Sequence, residues 1–196
     1  MTTTTTQPAP PAGIVTRAAM TPGPAVYVAC LAAYNNGTLH GRWVDLGIAS
    51  TAEEIQACIA HVLATSPEPG AEEYAIHDHQ GLPECLQGEW PDWEQVEAYL
   101  EARYSLHETE RSAHLIACNI NHRVLDEQEF SESFCGFWER PEDFAQEQAE
   151  QTADHDVDWN QWPINCIDWQ SAWRDLSCDG YHAEFVANEG YAVFAP

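Results

Sequence analysis

The first third of the chain carries two strand-like apolar runs on either side of a turn signal. Residues Val26–Tyr34 are almost all apolar or small, which is typical of a buried strand. Asn35-Asn36-Gly37 follows, and this run predicts a turn because Asn and Gly tolerate positive φ. We therefore expect ordered structure to begin at Ala25 and a second strand, Leu39–Leu46, to pair with the first.

The next segment changes to helical spacing and then returns to a strand. Ser50 and Glu53 have the spacing of a capping box, which starts a helix, and Ser66-Pro67 is expected to end it. One apolar stripe at helical spacing lies between them and consists of Ile55, Ile59, Val62 and Leu63. Residues Tyr74–His79 predict a third strand, so residues 25–81 are expected to form a small antiparallel sheet with one helix packed on it.

The rest of the chain is predicted to be helical first and to end in a hairpin. Asp92 can cap a helix, and Pro141 suits the first turn of another. Residues 154–162 are acidic and aromatic and predict a loop. The further predicted elements are helices over Ser112–Val124 and Ile167–Leu176 and hairpin strands over Tyr181–Val186 and Tyr191–Phe194.

These elements define an α+β fold class in which the chain has four segments. The Thr/Pro-rich residues 1–24 lack the charged start and apolar core of a signal peptide and are expected to form a flexible tail. A small antiparallel sheet domain with a helix is expected over residues 25–82. A helical middle domain is expected over residues 83–125, and a mixed α+β C-terminal domain over residues 126–196.

Acidic residues dominate the chain from Asp45 onward. The 196 residues contain 32 Asp and Glu against seven Arg, with no Lys, for a net charge of −25, and no acid precedes Asp45. Self-repulsion at this density destabilises a compact state, so the charge calls for a functional reason. Because B-DNA carries one negative charge per about 1.7 Å of its axis, a folded protein of this charge is suited to a DNA-binding groove.

Hydrophobic and cysteine content indicate a folded, cytoplasmic protein. A hydrophobic fraction of 44% with eight Trp is too rich for an acidic disordered tail. The seven Cys are scattered and form no CxxC pair, which favours free thiols in a reducing compartment. The sequence has no apolar stretch of about 18 residues, so no membrane span is expected.

Two groups of histidines are candidate metal ligands. His114, Cys118 and His122 share one face of a predicted helix. The first and last of them would lie about 12 Å apart along that helix, too far for a single zinc ion. His77 and His79 share one side of a predicted strand, but no third ligand is suggested nearby. We therefore expect no metal at either place.

The sequence contains an incomplete calcium-loop pattern and none of three common enzyme motifs. Asp154, Asp156 and Asp158 match the first three ligand positions of a calcium loop, but Trp159 stands where glycine is needed and Asn165 where the bidentate Glu belongs. The sequence contains no nucleophile elbow, P-loop or dinucleotide fingerprint. No cofactor and no enzymatic activity are expected.

Several runs of residues resemble those of a known family. Val26–Leu46, with its Tyr-Asn-Asn-Gly turn and Gly-Arg-Trp strand, is similar to the opening of ArdA-type antirestriction proteins. The resemblance extends in order from about residue 25 to residue 196. The later runs that match are Glu72-Glu-Tyr-Ala-Ile-His-Asp78, Trp173-Arg-Asp-Leu176, Asp179-Gly-Tyr181 and Val193-Phe194.

The resemblance implies an elongated acidic homodimer, curved like B-form DNA and encoded on a mobile genetic element. Proteins of this family act as DNA mimics that occupy the DNA-binding groove of Type I restriction-modification enzymes and block restriction, often together with modification. Such a protein binds the enzyme and neither nucleic acid nor a membrane. An acidic adaptor or chaperone for a basic DNA-binding protein is the alternative interpretation of the charge, and a metal-dependent hydrolase is the third.

Two sets of residues are expected to carry this function. The DNA-mimic surface is expected to consist of Glu72, Glu73, Asp78, Glu89, Asp92, Glu94, Glu97, Glu101, Glu108, Glu110, Glu142, Asp143, Glu147, Glu150, Asp154, Asp156 and Asp158. The dimer contact is expected in the C-terminal part, where aromatic residues exceed what a small domain readily buries. Its candidates are Phe134, Phe137, Trp138, Trp169 and Trp173.

Overall fold

A computed structural model of the chain describes residues 9–20, 22–153 and 156–196. Within these residues the protein is a mixed α+β structure with seven α-helices and two small antiparallel sheets. The chain divides into two compact units. Unit 1 comprises the described residues up to Ser105 together with Asn121–Val124, and unit 2 comprises Leu106–Ile120 and Leu125–Pro196. The division into three domains stays a prediction.

Unit 1 is built on a four-stranded antiparallel sheet. Its strands are β1 (Ile14–Val15), β2 (Ala25–Cys30), β3 (Gly41–Asp45) and β4 (Tyr74–Gln80), in the order β1-β3-β2-β4. The predicted pairing of the first two long strands is confirmed, because β2 and β3 are antiparallel neighbours. The third predicted strand is confirmed as β4, which pairs with the other side of β2.

The expectation that ordered structure begins at Ala25 is wrong. Ile14 pairs with Val44, and Val15 with Trp43, so the N-terminal segment adds an edge strand to β3. A strand of two residues has no recognisable period in the sequence, and it exists here because β3 offers it backbone partners.

The end of the first predicted strand is also corrected. Residues Leu31–Asn35 form a short helix, α1, instead of continuing β2. Leu and Ala have high helix propensity, and the helix is closed by Gly37 at φ +78°, a conformation that glycine adopts without strain. The Asn-Asn-Gly run therefore marks a helix end, and the chain returns to the sheet at β3.

Two helices complete the core of unit 1: the first packs on β2 and β3, and the second packs against the first. Helix α2 (Ala52–Ala64) begins one residue later than predicted, because the capping box is formed by Thr51 and Glu54 instead of Ser50 and Glu53. Helix α3 (Trp93–Ser105) begins after Asp92 as predicted. The core side chains that these two helices contribute are Ile55, Cys58, Ile59, Val62, Trp93, Val96, Tyr99 and Leu100.

Unit 2 contains the C-terminal elements. Its helices are α4 (Arg111–Asn121), α5 (Glu127–Ser133), α6 (Pro141–Thr152) and α7 (Trp169–Cys178), and its strands are β5 (Phe134–Trp138), β6 (His182–Val186) and β7 (Gly190–Phe194). The strand order is β5-β7-β6. The terminal hairpin, the helix after Pro141 and the helix over residues 169–178 confirm the predictions, whereas α5 and β5 were missed.

The predicted helix over Ser112–Val124 is shorter than expected at its C-terminal end. Helix α4 ends at Asn121, and His122 follows it with φ +52°. Left-handed backbone of this kind cannot continue a right-handed helix, so His122 does not share the helix with His114 and Cys118.

Glu97 joins α3 to the start of α2. Its carboxylate accepts a hydrogen bond of 2.8 Å from the backbone N–H of Ala52, the first residue of α2. A carboxylate at a helix N-terminus satisfies an N–H group that has no partner within the helix and also interacts favourably with the helix dipole.

We expect Glu97→Ala to lower the free energy of unfolding by about 1 kcal/mol, the usual size of a lost helix cap. Glu94→Ala is the matched control, since Glu94 is exposed on the same helix and such surface changes stay within about 0.5 kcal/mol. Urea denaturation followed by circular dichroism measures both. Equal stabilities of the two variants would show that the Ala52 contact contributes nothing.

Candidate acidic binding surface

Most of the acids expected to form the functional surface are exposed, and half of the exposed ones stand on helices or strands while the others lie in turns and connecting segments. The exposed members are Glu72, Glu73, Asp78, Glu89, Asp92, Glu94, Glu101, Glu108, Glu147, Glu150, Asp156 and Asp158. Glu97, Glu110, Glu142 and Asp143 are half-buried. Asp154 lies outside the described residues. The structure therefore places charge at the surface along the length of the acidic part of the chain.

Some of these acids also support the fold. The Asp92 carboxylate accepts from the backbone N–H groups of Glu94 and Gln95 and so caps α3. Asp143 lies 2.6 Å from the Arg140 guanidinium, and Glu147 accepts a 2.8 Å hydrogen bond from the indole of Trp138. Replacing an acid of this group changes stability as well as surface charge.

Two acids outside the expected set have lowered pKa values for a local structural reason. Backbone N–H groups of Thr51 and Ser50 hold the pKa of Glu54 below its ordinary value. Hydrogen bonds from the side chain and backbone of Ser171 do the same to the pKa of Asp168. Both acids are exposed and cap helices, so they keep their charge, and the capping contacts, to a lower pH than an isolated carboxyl.

Asp45, the first acid of the chain, is a structural residue. It is 1% exposed, and its carboxylate accepts from the backbone N–H of Gly47 in the turn after β3. Asp45 therefore adds nothing to a binding surface. The first exposed acid of the chain is Glu53, in α2.

The aromatic residues proposed for a dimer contact are half-buried and have ring partners within unit 2. Phe134 stacks on Phe130 at 5.0 Å and meets Phe137 edge-on at 5.1 Å. Trp138 and Trp173 both contact Phe144, at 4.8 Å and 6.2 Å. Trp169 lies 6.1 Å from Trp159. Each ring thus has a partner within the folded unit and is still partly exposed. The role of these residues in a dimer stays a prediction.

The histidines considered as metal ligands have other contacts. The ring of His114 is fully buried, donates from Nε2 to the carbonyl of Leu125 at 2.8 Å, and meets Phe130 edge-on. His77 packs edge-on against Tyr34 at 5.1 Å, and His79 contacts the backbone of Gly88. In the part of the chain that the structure describes, no group of three or more His, Cys, Asp or Glu side chains is placed to hold a metal ion.

The surface of unit 1 also contains a pocket whose lining includes no acidic residue. This open pocket of about 680 Å³ is lined by His40, Arg42, His61 and Thr65, together with residues of the N-terminal segment. Its lining includes Arg42 and no carboxylate, so this pocket is poorly suited to a basic partner.

The exposure of Trp90 is not predictable from the sequence. Trp90 is 64% exposed and lies beside Glu72 and Glu73 in a pocket of unit 1. A single Trp between two polar segments has no periodicity that would separate it from a core residue, so its exposure is visible only after folding.

No helix within residues 9–20, 22–153 and 156–196 combines the length and apolar character needed to cross a membrane. The fold and its surface define a small, strongly acidic α+β protein with exposed carboxylates in both units.

Comparison with known proteins places this molecule in a family. A family model described as antirestriction protein (ArdA) matches residues 26–193, which is most of the chain and includes parts of both units. The chain therefore belongs to the ArdA family of antirestriction proteins. No curated protein matches the chain.

Proposed function

We propose that this protein is a DNA mimic that occupies the DNA-binding groove of a Type I restriction-modification enzyme and so blocks restriction, and modification with it. The observation that carries the proposal is the exposure of many carboxylates in both units, some on helices and strands and others in turns and connecting segments, in a chain without lysine. Membership of the antirestriction family supports the proposal.

Competition with DNA for the enzyme's groove explains the inhibition, and the inhibitor needs no catalytic activity. The groove of a DNA-binding enzyme presents Lys and Arg to phosphates, and exposed carboxylates are attractive partners for the same cations. Long-range attraction between opposite charges accelerates association. Because the carboxylates on helices and strands have a fixed backbone, that part of the arrangement is preorganised, and the cost of deforming DNA is avoided.

The active form in this proposal is an elongated, curved homodimer that resembles B-form DNA in shape. The recognition subunit of such an enzyme has two pseudo-symmetric halves. A homodimer with two-fold symmetry would match both of them. Like charges oppose association, so the contact must be apolar, and Phe134, Phe137, Trp138, Trp169 and Trp173 stay the proposed residues. An interface of about 800 Å² per partner supplies enough apolar burial at about 25 cal/mol per Å².

Sedimentation in moderate salt tests the dimer. We expect a species of twice the 21.9 kDa chain mass at micromolar concentration, and replacing Trp173 by Ala is expected to shift the equilibrium toward monomer. A monomer that inhibits fully would refute the requirement for a dimer while leaving the mimicry proposal in place.

A competition assay tests the function itself. The protein is titrated against the DNA complex of a purified Type I methyltransferase core, and DNA release is measured by fluorescence anisotropy. We expect stoichiometric displacement, and we expect no comparable displacement from a basic histone-like protein. Equal displacement from both proteins would favour the acidic adaptor, which needs charge but little geometry.

A further inference from the structure

Trp90 is an exposed apolar ring in one of the most acidic parts of unit 1. It is 64% exposed and follows Glu89 directly in the chain. An open pocket of about 410 Å³ lies beside it and is lined by Leu31, Glu72, Glu73, Tyr74 and Trp90. Glu72 and Glu73 are themselves exposed. An exposed Trp ring beside two carboxylates offers an aromatic face and negative charge to one ligand at the same place.

Hydrogen bonds hold the wall of this pocket in place. The indole N–H of Trp90 donates to the carbonyl of Tyr74 at 2.9 Å, which fixes the ring against the start of β4. The hydroxyl of Tyr74 accepts at 3.0 Å from the indole of Trp93, a buried residue of α3. The pocket is therefore preorganised, and a ligand would lose little free energy in ordering it.

The backbone beneath the two carboxylates is also anchored. The carbonyl of Glu73 accepts at 3.0 Å from the N–H of Leu31, and the carbonyl of Glu89 accepts at 2.9 Å from the N–H of Ile76. These bonds tie the segment before β4 to the start of α1 and the segment before α3 to β4. The carboxylates of Glu72 and Glu73 thus project from a fixed backbone next to the Trp90 ring.

A planar cation matches this combination of groups. The face of Trp attracts cations more strongly than that of Tyr or Phe, and a carboxylate binds guanidinium through two parallel hydrogen bonds. Arg stacks on aromatic rings and is more weakly hydrated than Lys. A nucleic acid is a poor occupant, because its phosphates would be repelled by Glu72 and Glu73.

We propose that this pocket binds an arginine side chain of the target enzyme's DNA-binding groove, with the guanidinium on Trp90 and between Glu72 and Glu73. This inference rests on the proposed function, because it identifies the partner group at that surface. It adds a contact that distributed charge does not provide. Stacking and apolar contact with the arginine stem depend little on salt, whereas the carboxylate contacts are screened.

The pocket is tested first without any enzyme. The indole N–H signal of Trp90 is assigned in the ¹H–¹⁵N NMR spectrum by its loss in Trp90→Phe, and N-acetyl-arginine amide and N-acetyl-lysine amide are then titrated separately. We expect a saturable shift of the Trp90 signal at several-fold lower concentration with the arginine compound. We also expect a several-fold weaker response to it when Glu72→Gln and Glu73→Gln are combined.

The Trp162 indole is the internal control, because Trp162 is 75% exposed and belongs to unit 2. Its signal is expected to stay unchanged while that of Trp90 moves. An unmoved Trp90 signal, or equal responses to the arginine and lysine compounds, would overturn the assignment of the pocket.

The second test uses the target enzyme. Trp90→Ala is expected to weaken inhibition of the Type I methyltransferase by about 3- to 30-fold, the range that cation–π contacts cover from exposed to desolvated sites. Trp162→Ala is expected to leave inhibition unchanged. Thermal unfolding of both variants checks that each remains folded.

The two tests separate the pocket from the function. Arginine binding at Trp90 without any inhibition of the enzyme would leave the pocket standing and refute the proposed function. Full inhibition by Trp90→Ala would refute the pocket's role and leave distributed mimicry in place.

Discussion

Raising the salt concentration is expected to weaken inhibition at least tenfold between about 0.1 M and about 1 M, where the screening length falls from about 10 Å to about 3 Å. The loss should be smaller than for DNA. A protein with 6–10 phosphate contacts loses about 10³–10⁵ in affinity between 50 and 200 mM salt because condensed counterions are released, and a protein surface holds counterions less tightly. Anisotropy competition at each salt concentration measures the effect.

The stability of the inhibitor should move in the opposite direction over the same range. The net charge of −25 opposes the compact state, so screening is expected to raise the midpoint of thermal unfolding. The expected rise is about 2–4 °C for each kcal/mol gained in a chain of this size. Weaker inhibition therefore cannot be attributed to unfolding. An inhibition curve that is flat in salt would exclude the electrostatic mechanism.

Neutralising a block of surface acids is expected to reduce inhibition about 10-fold or more, whereas any single change has an effect of a few-fold at most. Each exposed charge pair contributes from a few tenths to about 1 kcal/mol, and many act in parallel. The block combines Glu94→Gln, Glu101→Gln and Glu108→Gln, since these three acids are exposed. Glu97 is left out of the block because it holds the start of α2. Competition assays on the block and its single variants measure the difference.

A second block with the same change in charge provides the control. Asp175→Asn, Asp179→Asn and Glu189→Gln replace exposed acids of unit 2 outside the proposed surface. Position-dependent mimicry predicts a small effect of this block, and an acidic adaptor predicts equal effects of the two. If one single acid replacement abolished inhibition while the protein stayed folded, distributed mimicry would be wrong. Inhibition would then depend on one dominant contact.

Elements with strong local signals were predicted correctly. Asp92 caps the start of α3, and Pro141 is the first residue of α6. The turn at residues 187–189 joins the terminal strands β6 and β7. In each case a side chain or turn residue within a few positions satisfies the backbone groups at the end of the element. Such signals require no knowledge of the rest of the chain.

Elements that depend on distant partners were missed. Strand β1 consists of two residues that pair with β3, some thirty positions along the chain. Strand β5 contains Gly136 at φ +134° and an irregular register against β7, which hides the alternation of a regular strand. Helix α5 has seven residues, too few to be stable without packing.

For the candidate site, composition alone established the sign and density of the charge, because nearly all charged side chains remain at the surface of a folded protein. The roles of individual residues were decided by tertiary structure. Glu97 reaches the first N–H group of α2, forty-five positions before it, and Trp90 lies open beside Glu72 and Glu73. Charge is a sum over residues and needs no coordinates, whereas a hydrogen bond or a pocket requires groups from distant positions to meet in space.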